Sequence, residues 1–561
     1  MNRIVTSCIV LAIAAQTATA GGILTNTNTN IAFNRNMARD GVIAIDGVYS
    51  NPAGVSFMPQ GWHLSLNNQS AFQTRDINSG IRVDLPAAFA GSMTEQQWQA
   101  TPFYQPFRMN GGDENGMKKF EGKAAAPILP SVQVALVKDK WTLQGSFALV
   151  GGGGKCTFNH GLGSFERQVS LLPAILTGID AKYRQFPELQ ASGLGLGTTT
   201  PGYSVESYMH GQQYVFGLQL GASYKLSEHW AVYGGFRFNY VYNKYEGNIR
   251  NISVNINGQN ENLAAYITNN SAELAQVATM LGGRAQTLAG QAEQAAAAAA
   301  ALQSTDPATA AQYAAAAQQA AGAAAKYVEG AQGIQGMAGM TGLISDKYLD
   351  CTQTGWAICP IIGADFRYNK LNIGWRLEFT THFNIQNNTK VDDTGLFADG
   401  VNTPGDMPGI TTLGVQYEIL PTLRVMGGLH YFFDKDARMD KGKQSKLSHN
   451  TWEWNAGVEY DVTKDILVSC GMQKTNYGLG DGSFLNDMSF VTSSYSLGFG
   501  ASFRVASNMK LNLAYFQTFY DTFNKEYEES YTMAGQTITA KCRDEFTRTN
   551  KVFGVGLDID F

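Results

Sequence analysis

Alternation with a period of two residues, held over segments longer than most soluble strands, is what most constrains this chain. From 553 to 561, Phe553, Val555, Leu557, Ile559 and Phe561 alternate with Gly554, Gly556, Asp558 and Asp560. Side chains at i and i+2 of a strand share a face, so one face here is apolar and the other small or acidic. The same pattern recurs at 371–380, 230–240 and 496–504. Soluble strands average about 5–6 residues, whereas a tilted membrane strand needs about 9–11. Trp62, Trp141, Trp230, Trp452 and Tyr460 stand near segment ends, where interfacial aromatic girdles form. In lipid every backbone group must be paired internally, and only a closed barrel leaves a sheet without edges.

Fourteen such segments follow from the pattern: 62–77, 127–138, 141–150, 210–226, 229–246, 361–369, 371–386, 409–420, 422–434, 450–462, 465–476, 489–504, 508–523 and 548–561. Short turns such as 138–140, 226–229, 420–422 and 462–465 alternate with long loops. In outer-membrane barrels the short turns are periplasmic and the long loops extracellular. The expected fold class is all-β: a transmembrane antiparallel β-barrel of about 14 strands, with an N-terminal hatch plugging the lumen and a helical extracellular insertion.

Composition agrees with this reading. Charged residues are only 16 %, aromatic residues 11 %, and 61 glycines are present. Past the N-terminal leader no run reaches the ~18 apolar residues of a membrane helix. A net charge of −5 without a basic block argues against nucleic acid as a partner. Residues 1–20 read as a signal peptide. Arg3 is the positive region, 9–15 the apolar stretch, and Ala18-Thr19-Ala20 the cleavage site. After cleavage five cysteines remain, and in an oxidising compartment Cys351 and Cys359 are the pair expected to close a small loop.

Residues 21–61 are polar, irregular and rich in Asn and Gly, which suits a hatch inside the barrel 62–561. The largest insertion, 247–360, is Ala- and Gln-rich between 262 and 332, with Asp306-Pro307 dividing it. Alanine favours helix and proline tolerates a first helical turn, so two or three helices packed as a hairpin are expected there. Charges on small-residue faces, Arg237, Arg376, Glu378, Arg424 and Arg504 among them, serve either to hold a plug bearing Arg35, Arg39, Asp40 and Asp46 or to line a wet channel.

Gly151-Gly152-Gly153-Gly154-Lys155-Cys156-Thr157 superficially resembles a phosphate loop, but Leu149 replaces its first Gly and Cys156 its magnesium-binding hydroxyl. Four glycines at a strand end instead suit a bulge that opens the wall. The seven histidines show no metal-ligand spacing, and neither HExxH nor GxSxG occurs. The reading is therefore a non-enzyme with no metal and no cofactor.

The leader, the Gly- and Asn-rich segment, and Ile45-Asp46-Gly47-Val48-Tyr49-Ser50-Asn51-Pro52-Ala53-Gly54 before a first strand together resemble the FadL family. Its members are outer-membrane transporters of long-chain fatty acids, with TodX-like members for aromatic hydrocarbons. The resemblance implies a fourteen-stranded barrel whose hatch carries an Asn-Pro-Ala motif, matched here by Asn51, Pro52 and Ala53. It also implies capture of a hydrophobic ligand, a shift of the hatch, and sideways exit into outer-membrane lipid where a strand bends away from its neighbour. On this view Gly151, Gly152, Gly153 and Gly154 mark the exit, while Ile31, Phe33, Val42, Ile43, Val48, Val55 and Phe57 line part of the pocket. The implied function is passive transport of hydrophobic small molecules, long-chain fatty acids first, by a monomer in the bacterial outer membrane. The alternatives are a receptor for haem or aromatic hydrocarbons and a structural or adhesive barrel.

Overall fold

A computed structural model describes residues 23–85, 93–105, 107–195, 197, 200–533 and 536–561. The proposed signal peptide lies outside the described residues. Fourteen wall strands, each antiparallel to the next, form one sheet that closes on itself. In chain order they are β1 (Gly61–Val83), β2 (Lys118–Lys138), β3 (Trp141–Phe158), β4 (Tyr203–Lys225) and β5 (Trp230–Ile256). Next come β6 (Lys347–Tyr368), β7 (Leu371–Glu378), β8 (Ile410–Leu420), β9 (Leu423–Phe432) and β10 (Trp452–Thr463). The wall ends with β11 (Ile466–Asn476), β12 (Ser494–Ala506), β13 (Met509–Tyr520) and β14 (Gln536–Asp560). Closure is made by β1 against β14, from His63 opposite Asp560 to Val83 opposite Ala540. The all-β, fourteen-stranded expectation holds, and each expected segment overlaps one wall strand, although 371–386 outruns β7, which ends at Glu378.

Several strands run well past the expected segments. At the long-loop end β5 and β14 rise above the rest, and the separate strands Asn384–Asp392 and Phe523–Met533 extend the sheet. The other end is a row of tight turns, with Asp139 and Asn369 in the left-handed region at φ 55° and 52°. Asn and Asp tolerate that conformation better than other non-glycine residues.

Outward side chains form an apolar belt that includes Leu66, Phe147, Leu218, Leu413, Phe499 and Val555. Trp62, Trp141, Trp230, Tyr368, Tyr417 and Tyr460 edge it on the tight-turn side. An all-round exposed apolar belt with an aromatic rim is the surface of a barrel solvated by lipid. Among the described residues no helix is long and apolar enough to cross a membrane.

Helices gather at the long-loop end. Gly163–Tyr183 buries Leu171, Leu172, Ile175, Leu176 and Ile179 in the largest apolar core. Lys118 Nζ reaches its Glu166 at 2.7 Å, and Ser164 N donates to Asp487 at 2.6 Å. The insertion forms an antiparallel pair, Ser271–Leu302 and Pro307–Gly339. Ala310, Ala317, Ala324 and Ala331 recur every seven residues on its buried seam, and such small side chains let the two backbones approach closely. Pro307 opens the second helix and Asp306 caps it by accepting from Thr309 N.

Cys351 and Cys359 do not pair. Both thiols are free and both lie on β6. Eight residues of strand separate them by about 26 Å, far beyond the ~7 Å between Cα atoms that a disulfide can bridge.

Candidate ligand pathway

The N-terminal segment threads the barrel and is buried along almost its whole length. Its short helix Ile31–Arg35 is capped by Asn30, whose side chain accepts from Ala32 N at 2.7 Å. The asparagines that make this stretch look unstructured in sequence bond to the wall. Asn30 donates to Gln133 at 2.8 Å, and Asn34 and Asn28 donate to Gln69 at 2.9 and 3.1 Å. Short side chains with both a donor and an acceptor suit an irregular backbone that must stay hydrogen-bonded when buried.

Charge is handled the same way. Glu459 on β10 accepts from Arg35 at 2.8 Å and Arg39 at 2.7 Å. Arg39 also grips Asp46 through two bonds of 2.7 and 2.8 Å. Asp40 meets His430 at 2.8 Å, whose other ring nitrogen faces Glu453 at 3.0 Å. The backbone at Asp40 and Gly41 rests on Gly374 and Gly414, which oppose each other on β7 and β8. A Cβ on Gly374 would stand within hard contact of Asp40 O, and one on Gly414 within hard contact of Gly41 N.

Asn51-Pro52-Ala53 docks on three sectors of wall. Asn51 donates to Asp365 at 2.6 Å and accepts from Gly54 N at 3.2 Å. Pro52 O accepts from Gln144 at 2.7 Å and Ser223 at 2.8 Å, while Ala53 packs with Tyr233, Cys359 and Ile361. Just before the motif, the Tyr49 ring lies 4.4 Å from the guanidinium of Arg376 and 5.7 Å from that of Arg237. Glu378 bridges those two arginines. Tyr49 also touches an apolar cluster with Val150, Val215, Val241, Phe383, Ile385 and Met407. It is thus the boundary between an ion-paired lower lumen and an apolar upper one.

Above that boundary lies a cavity of about 390 Å³, lined by Leu24, Val215, Val241, Phe383, Ile385, Met407 and Phe484 among others. Lys441, Lys443, Lys446 and Lys525 also border it. Lys443 Nζ is buried with no hydrogen-bond partner and sits 4.6 Å from the centre of the Phe484 ring. Burial, with Lys446 and Lys525 adding repulsion, pulls its pKa down to about 7.

Beside the cavity the wall is broken. β2 and β3 pair from Lys138 opposite Trp141 up to Val132 opposite Phe147, then only at Lys123–Thr157 and Gly122–Phe158. Register between β3 and β4 slips at Leu149–Gly151 and again at Gly151–Gly154. Gly152 and Gly154 have φ of 77° and 72°, a conformation glycine adopts without a Cβ penalty. The N-terminal segment supplies a partial neighbour for β3: Asn26 N donates to Val150 O at 2.8 Å and Gly152 N to Leu24 O at 3.1 Å. A hollow in the break is lined by Asn26, Gln69, Ala124, Leu129, Pro130 and Leu149. Gly152 lines both this hollow and the cavity.

The residues nominated from sequence are thus partly brought together. Gly151, Gly152 and Gly154 stand at the break, with Gly153 in the same strand. Arg237, Arg376, Glu378 and Arg424 face inward, Arg424 binding Asp461 at 2.7 Å. Arg504 continues the inward row of β12 past Ser502 but stands at the tight-turn rim, where it is 45 % exposed and lies 3.6 Å from Asp465. The seven apolar N-terminal residues do not line the apolar cavity. Ile31 packs over Gly554 and Gly556, and Phe33 joins Met37, Phe516 and Val552. Val42 meets Met426, while Val48 and Val55 meet Ala135. Ile43 and Phe57 face a recess at the tight-turn end. Leu24 is the N-terminal residue that reaches the cavity. The rest of the lining comes from strands and loops scattered between 152 and 525, which no local motif signals.

These features define a plugged transmembrane barrel with an apolar cavity beside a break in its wall. Among solved structures, a FadL homologue from Pseudomonas aeruginosa is 12 % identical with a TM-score of 0.53, over 96 % of this chain and all of that one. The chain therefore shares the FadL-type fold. The Pseudomonas putida toluene transporter TodX is 12 % identical with a TM-score of 0.43, covering 92 % and 94 % of the two chains. The toluene transporter TbuX from Ralstonia pickettii is also 12 % identical over 92 % and 94 %, at 0.41. No protein-family model matches the chain, and no curated protein matches it in sequence.

Proposed function

We propose that this protein is a passive outer-membrane channel for hydrophobic small molecules, with long-chain fatty acids as its class of ligand. The observation that carries the reading is the apolar cavity, bordered by four lysines and adjoining the break between β2 and β3 through Gly152. An acyl chain gains by leaving water for the apolar lining. Its carboxylate meets Lys443, whose ammonium has no other hydrogen-bond partner. A lipid-like solute then loses little in passing from cavity to bilayer, so a sideways exit suits it better than an aqueous pore. The N-terminal segment 21–61 acts as the hatch: Leu24 stands between cavity and break, and its displacement opens the route.

Purified protein in liposomes should speed entry of labelled oleate over protein-free vesicles. Equal rates would refute transport. Faster entry of toluene but not of oleate would move the ligand class to neutral hydrocarbons.

A further inference from the structure

On the lipid-facing side of the same sector, the outer groove above the break carries three lysines. Phe72 on β1 stands opposite Lys551 on β14 and Ala125 on β2, and Thr74 opposite Lys123. Lys123 in turn stands opposite Thr157 on β3, two residues from Lys155 on the same face. Phe72, Ala124, Ala125, Lys123, Lys155 and Lys551 line one open groove. Lys155 also borders the hollow in the break.

The height of this groove is fixed by the outward row of each strand. On β14, exposed Val555 and Phe553 give way to Lys551, then Thr549. On β2, Ile128 at 73 % exposure and Ala125 give way to Lys123. The lysines therefore occupy the first polar row above the apolar belt on the long-loop side, where lipid headgroups lie. Among the described residues none of the three is ion-paired. The nearest acids, Glu121 and Asp76, sit farther from the belt and are held by Lys119 at 2.9 and 3.0 Å.

We propose that this groove binds the phosphorylated headgroup of an outer-leaflet lipid, with acyl chains lying on Phe72, Ala125 and Ile128. Lys551 and Lys155 stand on the first and last of four neighbouring strands, three strand spacings or about 14 Å of wall apart. One carboxylate from a departing ligand reaches only part of that span, whereas a headgroup bearing two phosphates matches it. Lysines near a membrane surface each add to the attraction for anionic lipid. A lipid held there would stand over the break as its outer border.

The test is native mass spectrometry of the full chain taken from phosphatidylethanolamine vesicles doped with bisphosphorylated lipid A or its dephosphorylated form. The wild type should retain the phosphorylated form selectively, and retention should fall as salt screens the lysines. The triple variant Lys123→Gln, Lys155→Gln, Lys551→Gln should lose roughly tenfold or more of that retention, and the triple Lys→Arg variant should keep it. Equal retention of the dephosphorylated lipid, salt-independent retention, or undiminished retention by the Gln variant overturns the proposal. So does a Gln variant that keeps lipid A but releases oleate slowly, which would assign the lysines to the departing ligand. Salt dependence in the unmodified protein decides the question if the Gln variant fails to fold.

Discussion

The lower and upper halves of the lumen are filled by opposite means. Below Tyr49, polar side chains of the N-terminal segment meet polar wall, and each buried guanidinium of that segment faces a carboxylate. Above Tyr49 the wall turns apolar, leaves a cavity, and keeps the Lys443 ammonium buried with no hydrogen-bond partner among the described residues. Paired charges hold a structure in place, and an unpaired one leaves something to bind. In the proposed channel the first would seal and the second would receive ligand, within one barrel.

The largest test removes one side of the comparison. Deleting 21–61 should convert a closed barrel into a pore that conducts in planar bilayers, and unchanged conductance would show that the lower half does not seal. A gentler break is Glu459→Gln, which leaves Arg35 and Arg39 with less compensation. Breaking a buried pair typically costs about 3–5 kcal/mol. Arg39 retains Asp46, so the lower end is expected, read as faster hydrogen exchange in the Ile31–Arg35 amides.

The junction between the halves is sharpened by Gly151→Val. A Cβ there would lie 2.7 Å from Leu24 O and 3.0 Å from Met407 Sδ. By pushing Leu24 aside it should speed oleate release into vesicles roughly tenfold, about 1.4 kcal/mol off the exit barrier, with binding retained. The smallest effect concerns Lys443. Its pKa of about 7 in the free protein rises when a carboxylate binds, because the ion pair favours the charged form. Affinity for oleate should therefore be full below pH 7 and decline as pH rises past it, while a neutral hydrocarbon shows no such slope. Lys443→Gln should flatten the oleate profile in the same titration.

The wall was legible because lipid imposes a strict rule on it. Outward positions must be apolar, inward ones small or polar, and the period of two exposes that rule in Phe553 to Phe561. Above the membrane the rule lapses, so the long rise of β5 to Ile256 and β14 back to Gln536 went unread. The helix Gly163–Tyr183 was also missed, although Leu171, Leu172, Ile175, Leu176 and Ile179 carry helical spacing. The glycines at 151–154 signalled a bulge through their own backbone needs. The cavity could not be read locally, because Val215, Phe383, Met407 and Phe484 converge only after the barrel closes. Assigning hatch apolar residues to the pocket failed for a related reason: Ile31, Phe33 and Val55 fill the spaces left by small inward residues such as Gly554 and Ala135.

The stitching of Asn26 and Leu24 onto Val150 and Gly152 also bears on biogenesis. The N-terminal segment bonds to β1, β2, β3, β4, β6, β7, β9, β10 and β11, and the seam between first and last strands shuts the cylinder around it. Such a cargo is wrapped as the cylinder forms, not inserted afterwards. Chains arrested before β14 should then already protect the N-terminal segment from protease, so the oldest part of the nascent chain serves as the mould for the youngest.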